Sequence, residues 1–304
     1  MQGRRKTTEH RKTVETAPSQ LRISFTDLST ETARRTYESP ARREQAMDKA
    51  LSNRVIANLL DQAEAATPPA APPSSVKLSY FAGRGLAETS RYLLALAGVD
   101  YEDKRYPLTK GEAGGYEKPE MEADAAAGLF DWNLGRLPTL DVDGAQIGGA
   151  DVVARFIARQ WGLAGNGSAL QAAQIDTLCG LVKDTEAAFG KEDDKDKWFT
   201  SMATKQGERA LPFYLAGLEK LVGSDGFAVG GKVSLADAVI YRFFGESATT
   251  AGLFGAPESV PMGNAAATEA ALAQFAPKLS KIVTTFRTCP AIAAYLAQRP
   301  TQLF

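Results

Sequence analysis

Apolar and polar positions alternate through VKLSYF at 76–81, and that alternation predicts a β-strand. A glycine-punctuated turn follows. Residues 86–96 then carry apolar positions at helical spacing, and Gly98 is placed to end the helix. Residues 101–108 read as a second strand, and residues 109–134, glycine-rich and without a period, as irregular. Strand-like segments at 138–142 and 145–147 flank Asp143-Gly144, a dipeptide suited to the positive φ angles of a two-residue hairpin. An amphipathic helix is predicted over 152–161. The order βαβ then ββα predicts a small α/β domain over 76–162.

From residue 168 to 304 nothing reads as strand, which predicts an all-helical domain. Helical patterns cover 170–189, 208–222, 275–288 and 290–297. Ser234-Leu235-Ala236-Asp237 opens another helix as a capping-box variant, with Asp in place of Glu and Val233 placed as a hydrophobic staple. The Gly- and Pro-rich stretch 247–264 reads as an insert or mobile loop.

Residues 1–75 form an extension ahead of both domains. It begins as a polar segment, and Leu21, Ile23 and Phe25 alternate as a short docking strand would. Ser39-Pro40 then reads as the start of a helix running to about residue 66. That helix puts Met47, Leu51, Val55, Ile56, Leu59 and Leu60 on one apolar face, and ATPPAAPPSS follows as a proline-rich spacer. An apolar face of this size predicts docking, on the chain's own helical domain or, as the favoured reading, on a partner protein.

Composition narrows the chemistry. The net charge of -1 gives no electrostatic case for nucleic acid or an anionic membrane. No apolar run reaches the ~18 residues of a membrane span. The two cysteines, Cys179 and Cys289, make neither a disulfide framework nor a zinc site. The single histidine, His10, argues against Ser-His or Cys-His catalysis, and no metal is expected. These features fit a reducing, cytoplasmic setting. The basic, hydroxyl-rich start leaves an organelle, mitochondrion or plastid, as the alternative, although Glu9 and Glu15 argue against a transit peptide.

YFAGRGLAE with RYLLALAGVDYED, GRLPTLDVDG, AAQIDTLCGLVKD, the SLAD box and CPAIAAYLAQRP, in that order, resemble the glutathione transferases, most closely their tyrosine-type, sigma-like group. The resemblance covers residues 76–304. It implies a four-stranded thioredoxin-like domain packed on an all-α domain, a homodimer, and glutathione bound as substrate beside a small hydrophobic electrophile. It places Tyr80 as the catalytic phenol, donating a hydrogen bond that stabilises the glutathione thiolate and facing the backbone of Leu137. It makes Pro138 a cis-proline that exposes Leu137 for pairing with the cysteinyl unit. Phe81 and Arg136 fall at the glutathione site, and Asp184 at the aspartate that reaches across the dimer to the γ-glutamyl ammonium. The residues alone leave other readings open: a core-packed Tyr80, a solvated Arg136 and a solvated Asp184.

The pattern departs from the family at IGGAD, residues 147–151. Relatives read Gln-Ser where this chain has Gly149 and Ala150, and the serine hydroxyl there holds the γ-glutamyl carboxylate. Losing a hydrogen bond to a charged group costs about 1.5–3 kcal/mol. Asp151, in the first helical turn, is expected to repel an incoming carboxylate, while the Gly149 N–H remains as a donor. Leu86 stands where sigma-like relatives often carry a basic residue that assists the sulfur. Two functions follow. One is a glutathione transferase or isomerase with a weakened glutathione site. The other is a catalytically weak or inactive scaffold, an accessory subunit attached through its N-terminal extension.

Overall fold

The computed structural model describes residues 73–112, 115–203, 209–249 and 261–300 of the chain. The apolar face from Met47 to Leu60, the docking strand expected at 21–25, nearly all of the spacer, and 250–260 of the expected insert lie outside the described residues.

β1 (Val76–Phe81) leads through a short 3-10 turn, Gly85–Ala87, into α1 (Glu88–Ala97). Gly98 ends that helix at φ 63°, its N–H turned back to the carbonyls of Leu94 and Ala95. β2 (Glu102–Tyr106) returns parallel to β1. The segment expected to be irregular then folds into a small hairpin, β3 (Thr109–Lys110) and β4 (Tyr116–Glu117), and a helix, α2 (Pro119–Ala126). The helix-start signal lay in Pro119 at its first turn with Glu120 and Glu122 beside it. Periodicity missed it because only Met121 is buried.

β5 (Thr139–Val142) and β6 (Ala145–Gly148) pair through Asp143 (φ 51°) and Gly144 (φ 82°), as the Asp-Gly signal predicts. The sheet has four strands in the order β2-β1-β5-β6, with β5 antiparallel to β1. Leu78 and Leu140, opposite each other in the β1–β5 register, are fully buried. α3 (Ala150–Gln160) completes the thioredoxin-like layer and buries Val153, Ile157 and Ala158.

The rest of the described chain is helical: α4 (Ala169–Lys191), α5 (Lys195–Thr200), α6 (Leu211–Leu221) and α7 (Leu235–Ile240). A π-helical turn, Tyr241–Gly245, joins α7 to α8 (Glu246–Thr249), so the start of the expected insert is helix, with Ser247 buried. α9 (Ala265–Phe275), α10 (Pro277–Thr288) and α11 (Pro290–Gln298) follow. α5 and α9 escaped the sequence reading. The break between α9 and α10 at Ala276 comes from Pro277, which opens the second helix. Among the described residues no strand beyond 168 joins the sheet; Ala203 and Arg209 make an isolated bridge. No described helix is long and apolar enough to cross a membrane.

The capping box forms as read. Asp237 accepts from the Ser234 N–H (2.8 Å) and hydroxyl (2.7 Å), and its other oxygen takes the Ala228 N–H at 2.8 Å. α1 is unusual in burying its polar residues Glu88, Thr89, Ser90 and Arg91. It packs against α3, α7 and α11, so few of its side chains have a route to solvent.

Candidate functional site

Tyr80 stands one residue from the end of β1, opposite Arg105 in the parallel register, and is 9% exposed. Its ring meets Phe81 edge-on at 5.4 Å, and the Arg91 guanidinium lies 5.9 Å from its centroid. Gly85 makes room for the phenol, since a Cβ there would lie 2.5 Å from the hydroxyl. The Tyr80 hydroxyl accepts a hydrogen bond from the Leu86 N–H at 3.1 Å. The hydrogen bond found is therefore to Leu86 rather than toward Leu137, and it uses the oxygen as acceptor. The phenolic proton remains available for donation.

Beside this turn lies a cleft of about 540 Å³. Leu86 and Thr89 line one wall, Gly149, Ala150 and Asp151 another, and α4 contributes Cys179, Lys183 and Glu186. The structure thus brings Gly149 and Ala150 to the same cavity as the Tyr80 partner Leu86. Tyr80, Phe81, Arg136, Leu137, Pro138 and Asp184 do not line it, and Tyr80 is tied to it only through its hydrogen bond with Leu86. Leu137 and Pro138 are buried at a cis peptide bond. Arg136 is exposed and donates from Nε to the Asn133 carbonyl at 3.2 Å. Asp184 is exposed on α4.

The N-terminus of α3 differs from expectation in two ways. First, the Gly149 N–H, anticipated as a free donor, is spent on the Pro138 carbonyl at 3.1 Å. No side chain caps the helix, which leaves the amides of its first turn without a side-chain acceptor. Second, the Asp151 carboxylate is paired with Lys183 across the cleft, which offsets the expected repulsion. Arg155 adds a contact to the Asp151 carbonyl at 3.4 Å and binds Asp176 at 2.7 Å. The hydrogen bond that Arg155 donates to Asp176 raises its value further and keeps it charged.

Glu186 and Arg242 form a two-pronged pair on the remaining wall. Cys179 is a neutral thiol, pushed up to about 12 by burial, and so is no nucleophile. Sequence reasoning missed Lys183, Arg155 and Arg242, whose partners lie on other elements. A larger cavity, about 770 Å³, opens between the 226–234 loop and the end of α10. None of the candidate residues lines it, whereas Gly149 and Ala150 line the smaller cleft.

Comparison with known proteins agrees with the fold. Residues 184–299 match the family model described as glutathione S-transferase, C-terminal domain. The chain is 31% identical over 227 residues to hematopoietic prostaglandin D synthase of Gallus gallus, covering 74% of this chain and 96% of that protein. It is 33% identical over 175 residues to glutathione S-transferase 1 of Ascaris suum, covering 54% of this chain and 76% of that protein. Among solved structures, the glutathione S-transferase from Ascaris lumbricoides superposes with a TM-score of 0.51 at 27% identity, over 76% of this chain and 100% of that one.

Proposed function

Because the chain belongs to the glutathione transferase family, we propose that it binds glutathione in the cleft beside Tyr80 and conjugates or isomerises small electrophiles with it. The observation that carries this reading is the Leu86 N–H bond to the Tyr80 oxygen. A free thiol of pKa ~8.5 is a few per cent ionised at neutral pH. A phenol donating to the sulfur favours the anion and lowers that pKa. A hydroxyl that already accepts a hydrogen bond is polarised into a better donor. The thiol proton leaves to solvent, Tyr80 keeps its own, and the thiolate sulfur bonds the electrophilic carbon as that carbon's leaving group departs with its electron pair, or as a π pair shifts to an acceptor atom that takes a proton from solvent.

The γ-glutamyl carboxylate would be held by the uncapped amides of α3, with Lys183 neutralising Asp151 nearby. Ala150 offers no hydroxyl to that carboxylate, so affinity is expected to be about ten- to a hundredfold below that of a serine-bearing site. Asp184 fits a role in the cleft of a second copy, since it is exposed and lies outside its own. In this reading the protein is a homodimer.

The test is calorimetry with glutathione joined to turnover of a general electrophile, in the wild type and in Tyr80→Phe. Tyr80→Phe is expected to lower kcat about ten- to a hundredfold, the worth of a hydrogen bond to a charged group, with little change in glutathione affinity. Equal loss in both would contradict thiolate stabilisation. The scaffold reading keeps one supporting observation, the Gly149 N–H spent on Pro138. A wild type that binds no glutathione would favour it.

A further inference from the structure

A cluster of buried charges lies behind the Tyr80 turn. Glu88, at the start of α1, accepts from Arg91 (3.2 Å), from the Tyr295 hydroxyl (2.9 Å) and from Arg299 (2.8 Å). Glu246, at the start of α8, accepts from Arg299 at 2.6 Å and also pairs with Arg84 and the Tyr92 hydroxyl. Arg91 carries the cluster to the backbone. It donates to the Gly83 carbonyl at 2.6 Å and the Arg84 carbonyl at 3.4 Å, and it binds Asp103 on β2 at 3.1 Å. Side-chain exposures run from 0% for Arg91 through 1% for Glu88 and 2% for Glu246 to 8% for Arg84. With Arg299 at 5% and Asp103 partly buried and shared with Arg105 at 2.7 Å, four arginines meet three carboxylates.

Burying ion pairs is a poor route to stability, because well-packed apolar residues often do as well or better. Charged, hydrogen-bonded pairs do fix geometry, and here the fixed object is the 82–86 turn. Arg84 and the carbonyls of Gly83 and Arg84 are gripped from behind, while Leu86 on the same turn donates to Tyr80. The far end of the grip is Arg299, just past α11, so the last helix reaches the turn through two carboxylates. Burial works to lower the Arg299 value, but Glu246, Tyr92 and Glu88 outweigh it, and the guanidinium stays charged.

We propose that the Glu88–Arg91–Glu246–Arg299 cluster is a positioning device that sets the Tyr80–Leu86 hydrogen bond and couples the C-terminal helix to it. Its consequence for catalysis rests on the function proposed above, but the coupling itself does not. These four are positioning residues and act through Tyr80.

Amide hydrogen exchange at Leu86 in the full chain, without ligand, reads the coupling directly, with the Leu78 amide on β1 as internal reference. Glu246→Gln and Arg299→Met are each expected to speed Leu86 exchange at least tenfold relative to Leu78. Arg299→Lys, which keeps the charge, is expected to restore part of the protection. Removing one partner strands the opposite charge and can prevent folding. The pair Glu246→Gln with Arg299→Gln therefore removes one charge of each sign, and it is expected to show the same Leu86 effect. Unchanged Leu86 protection in the folded variants, with only a lower melting temperature, would overturn the proposal and leave the cluster a structural element alone.

Glutathione separates the two readings. If the wild type binds it, the single variants are expected to reduce the bound thiolate fraction several-fold at neutral pH with little loss of affinity. A chain that binds no glutathione yet loses Leu86 protection in the variants would refute the proposed activity and keep the coupling. One that binds glutathione while Leu86 is indifferent to the cluster would refute the coupling alone.

Discussion

In the proposed function, Ala150 sets how well the cleft holds a carboxylate. It opens α3, where the first-turn amides have no side-chain cap, and its methyl occupies the place of a hydroxyl acceptor-donor. Ala150→Ser is expected to tighten glutathione binding about ten- to a hundredfold, 1.5–3 kcal/mol, read by calorimetry. An unchanged Kd would mean that the carboxylate binds elsewhere. Gly149→Gln is a poorer probe despite the family pattern. Gly149 sits at φ 91°, where side chains are strained, and its N–H is already committed to Pro138. The identity of these two residues was legible in the sequence; their hydrogen bonding was not. The partners are a carbonyl across the loop and, for Asp151, a lysine on the next helix, and neither leaves a local signature.

At the scale of elements, local signals carried furthest where the chemistry was local. Asp143-Gly144, Gly98 and the Ser234–Asp237 box each specify a backbone conformation within a few residues, and each forms. α2 and α9 were missed because their faces bury little or mix small residues, and α5 because its six residues, though they bury Trp198 and Phe199, are too few to show the 3.6-residue period. The charge cluster was invisible for another reason. Glu88 and Arg299 are 211 residues apart, and Glu246 and Arg299 are 53 apart, so only the fold brings them together.

The capping box also yields a pH prediction. Burial pushes the Asp237 carboxyl up to about 6, against the hydrogen bonds from Ser234 and Ala228 that favour the anion. A carboxyl with a raised folded value holds its proton more tightly when folded. Its contribution to stability is therefore fully present below about pH 4 and is lost as pH rises to about 6. Urea unfolding of the wild type and Asp237→Asn is expected to show their stability difference moving against the wild type by about 2–3 kcal/mol between pH 4 and pH 7. A difference independent of pH would contradict the raised value and assign the site to a permanently ionised cap.

For the whole molecule, the thioredoxin-like sheet and the helical layer meet along α1, which carries Glu88 and Arg91 inward and follows directly on the Tyr80 turn. That placement ties the fold to the proposed chemistry: the same helix that joins the layers also holds the turn beside the cleft. The proposed function requires that Tyr80 stabilise a glutathione thiolate beside that cleft. The most direct test is a pH titration of the ultraviolet thiolate absorbance of glutathione bound to the full chain, compared with Tyr80→Phe. The bound thiol is expected to ionise at least one pH unit below the free value of ~8.5, returning most of the way in Tyr80→Phe. A bound thiol that titrates like free glutathione in both proteins would contradict it.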